Sequence, residues 1–256
     1  MFVLVACCLL LALSVSDGTL VHDINATVGD SALLQCSANM YPTELRNLRF
    51  YWQDDRNVVL YSFKEGRAMA EHANELYLHR ITAFPQDMKT GNVSVKLKNL
   101  TLEDNGRIFQ AFVAVSESGG MRRQRLICES NLHVAVPYKN VSLALNFETM
   151  TAVCTTKRGF PEPLVQWMLH FSNNSYNIID SKDTHNTAMQ DPHDSLYSFN
   201  STIHIPEGPY HSVTCLSHNP TIRMTLNTTW ILNKGAAMWS LHVWAEGLIV
   251  AVLLLA

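Results

Sequence analysis

An all-β chain of two tandem sandwiches is the fold class this sequence predicts, and three observations predict it. Short runs of alternating apolar and polar residues, separated by turn residues, recur about every 8 to 15 positions. Cys154 in one such run is followed by Trp167, and then by a distant Cys215 in another. The start of that pattern occurs twice, as Cys36/Trp52 and as Cys154/Trp167, in 256 residues, a length that holds two domains of about 100 residues each plus termini.

Cysteine, then tryptophan, then a distant cysteine is the core signature of an immunoglobulin sandwich. There the cysteines bridge the sheets and the tryptophan packs on the bridge, so Cys154–Cys215 is the expected pair. Net charge is −3, so no basic footprint points to nucleic acid.

From the N-terminus, the apolar run Phe2–Val15 is too short to span a bilayer and fits a signal peptide over 1–18. Residues 19–136 are expected to form a variable-type domain. Its strands are read at Ser31–Ala38, Leu48–Gln53, Asn57–Phe63, Tyr77–Phe84, Asn92–Leu100, Arg107–Ser116 and Arg123–Val136, with an extra hairpin strand from Lys64–Ala70. Val93, Val95 and Leu97 alternate with Ser94, Lys96 and Lys98, giving one dry and one wet face. Pro137 breaks the chain, and 137–232 restart with fewer strands, as a constant-type domain: Val141–Asn146, Met150–Thr155, Leu164–His170, Leu196–Ile205, His211–Ser217 and Ile222–Leu232. Residues 233–256 are apolar but interrupted by His242 and Glu246. They are read as a membrane anchor or, equally well, as a lipid-anchor signal.

Seven Asn-x-Ser/Thr sequons, at Asn25, Asn92, Asn99, Asn140, Asn173, Asn200 and Asn227, agree with a secreted or surface glycoprotein. Cys7 and Cys8 leave with the signal peptide, and an even four remain. No CxxC pair exists, and the histidines form no metal-binding spacing, so neither metal nor cofactor is expected. His193-Asp194-Ser195 places triad-type residues side by side in sequence, whereas a triad must converge in space; no enzyme is expected.

The first domain departs from its own pattern. At Asp104-Asn105-Gly106-Arg107-Ile108-Phe109-Gln110-Ala111, phenylalanine stands where the corner tyrosine is usual, and Ala111 where the second cysteine is. Cys128, one strand further on, is then the remaining partner for Cys36. Moving a partner one strand sideways stretches the Cα separation toward the ~7 Å limit, so a Cys36–Cys128 bridge requires a local shift. Two buried free thiols are the alternative. Arg80 and Asp104 occupy the two places that commonly hold a closing salt bridge in variable-type domains.

The stretches LRFYWQDDRNVVLYSF, YLHRITAFPQDMKTGNVSVKLKNLTLED, LHVAV and GFPEPLVQW together resemble the butyrophilin-like family of costimulatory ligands on antigen-presenting cells, of the ICOS-ligand type. The resemblance covers roughly Thr27 to Ser240. It implies a protein on the external side of the plasma membrane, held there by its C-terminal segment. It implies a T-cell costimulatory receptor of the ICOS class as partner, met by the front sheet of the variable-type domain, with T-cell costimulation and cytokine production as the outcome. An inhibitory ligand and an adhesion glycoprotein are the alternatives on the same fold, and a homodimer is left open.

Alternation names the outward residues of that sheet independently. If Trp52 points in, Arg49, Tyr51 and Gln53 point out. If Ala111 points in, Gln110, Phe112 and Ala114 point out. If Cys128 points in, Arg123, Arg125 and Ile127 point out, and Tyr61 on the neighbouring strand joins them. Tyr51, Gln53, Tyr61, Gln110, Phe112, Arg123 and Arg125 are therefore the expected receptor-binding residues, with the composition of a hot spot.

Overall fold

The computed structural model describes residues 20–38, 44–116 and 122–232. The expected signal peptide and the expected anchor lie outside them. Among the described residues no helix is long and apolar enough to cross a membrane. The chain divides into two compact units, one running to Ile24 and then Gly29–His133, the other Asn25–Val28 and Val134 onward. Both are built almost entirely of strands.

Nine strands belong to the first sandwich: β1 (Leu20–Thr27), β2 (Ala32–Leu34), β3 (Phe50–Asp54), β4 (Val59–Lys64), β5 (Arg67–Ala68), β6 (Ile81–Ala83), β7 (Val95–Leu97), β8 (Arg107–Ser116) and β9 (Arg122–Ala135). They form a six-stranded front sheet in the order β1-β9-β8-β3-β4-β5 and a three-stranded back sheet in the order β2-β7-β6. The hairpin strands β4 and β5 are the additions that define a variable-type sandwich. Leu34, Trp52, Leu97, Phe109 and Leu132 fill the space between the sheets without exposure to solvent. The Trp52 indole N–H donates to the Val93 carbonyl at 2.8 Å. Its polar edge is therefore satisfied inside the core.

Two segments differ from the sequence reading. Glu75–Leu78 is a single helical turn, α1, because the Asn74 side chain caps it by accepting the Leu76 N–H at 3.0 Å; only Ile81–Ala83 of the expected Tyr77–Phe84 strand is extended. Strand β1 was not expected. It is an edge strand whose polar residues hide its alternation.

A buried acid organises the bottom of the core. Asp54 is fully buried at the end of β3. It accepts the Arg56 and Val58 N–H groups at 3.0 and 2.9 Å and the Tyr77 hydroxyl at 3.0 Å. The Tyr77 ring in turn meets Phe109 edge-on at 6.2 Å. Beside Phe109, which lacks the corner hydroxyl, Tyr77 thus supplies a phenol from another strand connection. Burial, and then the Asp54 charge, push the Tyr77 pKa up to about 12. Burial also acts to raise the Asp54 pKa, but the Val58 N–H, the Tyr77 hydroxyl, the Arg56 N–H and the Arg56 charge outweigh it and leave it below the ordinary carboxylate value. A folded pKa lower than the unfolded one, near ~3.9, means that the carboxylate stabilises the fold above that pH and ceases to do so as pH falls through its folded value. Asp54→Asn is expected to cost about 2 kcal/mol at neutral pH. Denaturant melts at descending pH should show this gap narrowing in acid; a gap unchanged by acid would exclude the ionic contribution.

The expected pair Arg80 and Asp104 is formed. The guanidinium holds both carboxylate oxygens, one of them at 3.2 Å, and also donates to the carbonyls of Lys98 and Asn99. Asp104 simultaneously accepts the Thr101 N–H at 2.8 Å, so this pair closes the turn leading into β8.

The second sandwich comprises β10 (Val141–Asn146), β11 (Thr151–Gly159), β12 (Leu164–Phe171), β13 (Tyr176–Ile178), β14 (Thr184–Gln190), β15 (Tyr197–His204), β16 (Tyr210–Asn219) and β17 (Met224–Ile231). Two four-stranded sheets result, β10-β11-β15-β14 and β13-β12-β16-β17. The seven strands of a constant-type sandwich are present, and β13 is an eighth on an edge. The sequence reading missed β13 and β14. Edge strand β14 (THNTAMQ) buries no residue and so carries no period-two signal. The Cys154–Cys215 disulfide crosses the core with a Cα separation of 6.3 Å. It lies among Ala152, Trp167, Leu169, Ile203 and Val213, and the Trp167 indole donates to Ser201 Oγ at 2.8 Å.

The Gly-Phe-Pro-Glu-Pro turn is tied into this unit. Phe160 and Val136 exchange two backbone hydrogen bonds of 2.9 Å, Tyr138 Oη donates to the Pro161 carbonyl at 2.8 Å, and Asn219 Nδ2 donates to the Phe160 carbonyl at 2.9 Å. The Tyr138 ring covers Gly159 so closely that a Cβ there would stand 2.5 Å from it. Gly159→Ala must displace a buried ring. A loss of about 1–3 kcal/mol is expected, read as a lower thermal midpoint; an unchanged midpoint would show that the ring yields freely.

Candidate binding face

The front sheet presents its outer side through β3, β8 and β9, and cross-strand register decides which side chains share it. Tyr51 stands opposite Ser62 on β4 and opposite Phe112 on β8. Phe112 in turn faces Leu126 on β9, and Ala114 faces Gln124. A second row runs Gln53, Gln110, Glu129. Residues paired across a ladder point to the same face, so these rows form one surface, half-buried except at the exposed Gln124.

At its centre the Tyr51 and Phe112 rings stack with centroids 5.1 Å apart and planes 10° from parallel. Burial raises the Tyr51 pKa, so its hydroxyl stays a proton donor at neutral pH. It donates to Gln124 Oε1 at 2.9 Å. Gln110 Nε2 donates to Glu129 Oε2 at 2.9 Å and Gln53 Nε2 to Asn57 Oδ1 at 3.0 Å. The arrangement is an aromatic plate bordered by carboxamides and one carboxylate. It offers apolar area at its centre and polar partners at its edge, as recognition surfaces do.

Four of the expected residues, Tyr51, Gln53, Gln110 and Phe112, are brought together here. Three are not. Strand β9 carries a bulge: Ala111 pairs with Cys128, but the next residue, Phe112, pairs with Leu126, so Ile127 is an inserted residue. One insertion inverts every side chain beyond it. Arg125 therefore pairs with the buried Val113, and Arg123 with Val115. Both arginines are exposed, but on the side of the ribbon away from the Tyr51 row. Gln124 and Leu126 take the places expected of them, and the Tyr51–Gln124 hydrogen bond marks that side directly. Tyr61 is corrected by regular pairing. It pairs with the inward-facing Trp52, so it lies on the inner side of the sheet, half-buried, and its ring meets the buried Phe50 at 5.8 Å. Of the residues the alternation argument missed, Gln124 and Leu126 carried no sequence signal, because a bulge has no composition of its own.

The same bulge answers the geometric objection to Cys36–Cys128. The bridge is formed with a Cα separation of 5.7 Å, inside the disulfide limit. The register slip lies directly beside Cys128 and supplies the shift it requires. Ala111, opposite and fully buried, contributes only a methyl group there.

The sequons are unevenly placed. In the first sandwich Asn92 and Asn99 flank β7 on the back sheet. The front sheet carries one only on edge strand β1, at Asn25, with β9 and β8 between it and Tyr51. The triad-type residues of the second unit lie in a turn and do not converge: Asp194 accepts the Leu196 N–H at 3.0 Å and the Arg158 guanidinium at 2.6 Å.

No family model matches the chain. In sequence it is similar to human T-lymphocyte activation antigen CD80, 27% identical over 217 residues that cover 82% of this chain and 69% of that protein. It is similar to human ICOS ligand, 27% identical over 224 residues covering 85% and 72%. In fold it is similar to a chain of the crystal structure of ICOS in complex with ICOS-L and an anti ICOS-L VNAR domain, with a TM-score of 0.61 and 24% identity over 83% of this chain and 100% of that one.

Proposed function

We propose that the chain is a cell-surface costimulatory ligand, with residues 19–136 as the domain that meets a T-cell receptor of the ICOS class, 137–232 as a second, constant-type domain, and 233–256 as the segment that holds it at the external side of the plasma membrane. The observation that carries this reading is the stacked Tyr51–Phe112 plate at the centre of the front sheet. It is half-exposed, bordered by polar groups, and set on the sheet whose middle strands bear no sequon. Aromatic side chains fixed on rigid strands lose little entropy on association, which suits them to anchor a partner. Similarity in sequence to CD80 and to ICOS ligand supports the class of partner.

The test is direct. Cells displaying the full chain are stained with soluble ICOS ectodomain, and the same cells are cultured with T cells. Saturable staining and increased cytokine release are expected. Absence of staining would remove ICOS as partner, and a fall in cytokine release would make this an inhibitory ligand.

A further inference from the structure

The outer side of the back sheet holds a groove of about 340 Å³, lined by Leu33 and Gln35 from β2 and the residues following it, Phe84 and Asp87 after β6, and Asn92 and Ser94 before β7. Its volume lies at the lower end of cavities that hold small ligands. Leu33 is 47% exposed there, a large apolar side chain on a solvent-facing strand position. Asn92 and Ser94 belong to one sequon, Asn92-Val93-Ser94, so the groove contains the attachment point of an N-linked glycan. Two residues apart on an extended segment, both side chains face the same way.

The Asn92 amide is oriented. Its Oδ1 accepts the Ser94 N–H at 3.1 Å, and its Nδ2 makes no hydrogen bond to any described residue. We propose that the groove is the seat of the proximal N-acetylglucosamine residues of a glycan on Asn92, whose pyranose C–H face covers Phe84 and Leu33 while Gln35 and Asp87 meet its hydroxyl and acetamido groups. A tethered sugar is present at an effective concentration on the order of millimolar, so weak contacts suffice to seat it. The inference shares with the functional reading only its secretory setting; it involves the opposite sheet and needs no receptor.

The chemistry also orders events. Transfer from a lipid-pyrophosphate-linked oligosaccharide forms the bond from Asn92 Nδ2 to the sugar's anomeric carbon. It breaks that carbon's bond to the pyrophosphate oxygen, which leaves with the electron pair, and one amide proton is lost. The acceptor pattern requires the Ser94 hydroxyl. In the fold Ser94 is 4% exposed, and its hydroxyl accepts the Cys36 N–H at 2.9 Å and donates to the Cys36 carbonyl at 3.3 Å. Transfer therefore acts on the chain before this segment pairs with that of Cys36.

The test uses the full chain from mammalian cells. Site-resolved mass spectrometry follows glycan release by peptide-N-glycosidase from native and from reduced, denatured protein. Asn92 is expected to be occupied, and its glycan to leave about tenfold more slowly from the native protein, since the enzyme must wait for the seat to open. Phe84→Ser should bring native release close to the denatured rate, and Leu33→Ser, at an exposed position that leaves the core intact, should do so in part. An unoccupied Asn92, equal native and denatured rates, or protection that survives both substitutions would each overturn the proposal. Receptor binding enters none of these readouts, so its failure leaves them intact.

Discussion

Cys128→Ala is expected to destabilise the first sandwich by about 4–5 kcal/mol. The Cys36–Cys128 bridge joins residues 92 apart, and in the chain-entropy model a loop of that length restricts the unfolded chain by about this amount. Both sulfurs are buried in the core, so the substitution adds a packing loss to the entropic one. Cys36→Ala should behave alike, and the double substitution should cost little more than either alone, because the two residues act as one unit. Non-reducing peptide mapping and calorimetry of the full chain check this. The first transition should fall steeply while that of the second sandwich, with its own Cys154–Cys215 bridge, stays in place. Recovery of free Cys128 from the native protein would refute the pairing.

Removal of the aromatic plate is expected to have the next largest effect. Tyr51→Ala and Phe112→Ala should each weaken receptor binding by about 1–3 kcal/mol, or roughly 5- to 150-fold in Kd. Their rings stack on one another, so truncating one already disturbs the other, and the double variant should lose less than the sum. Arg123→Ala and Arg125→Ala should change affinity by less than about 0.5 kcal/mol, because the bulge turns them from the Tyr51 row. Surface plasmon resonance on variants with unchanged thermal midpoints decides. Normal binding by both aromatic variants would dismiss the plate, and large losses at the arginines would show that the partner reaches around β9.

The contrast between the aromatic and arginine positions shows what the sequence made legible. Cys154, Trp167 and Cys215 announced the second sandwich because burying a tryptophan on a disulfide needs fixed residue types. Tyr51 and Phe112 were readable because β3 and β8 pair without interruption between Phe50 and Asp54. Period-two reasoning then holds from one buried residue to the next. It failed on β9, where a single register slip beside Cys128 reverses the phase. Such slips are backbone events driven by tertiary constraint, and no residue type reports them. The turn at Glu75–Leu78 was missed for a different reason: a local cap outweighed the apolar alternation of the surrounding residues. The groove at Asn92 required Phe84, Leu33 and Ser94 to be placed side by side, which depends on sheet pairing over long sequence separations.

The displaced disulfide has a mechanical side. Strand β9 runs on toward the second unit, so tension applied along the chain from that direction enters the first sandwich at β9. Cys128 lies on this same strand, and from it the covalent route crosses to Cys36 and the back sheet. Strand β8, which carries Phe112 and Gln110, lies outside that covalent cross-link and is held by its hydrogen bonds to β9 and β3 and by the burial of Phe109, Ala111 and Val113. Tension arriving along the chain at β9 is thus divided covalently between β9 and the back sheet at Cys128, a division that a bridge placed at Ala111 would have made one strand further in.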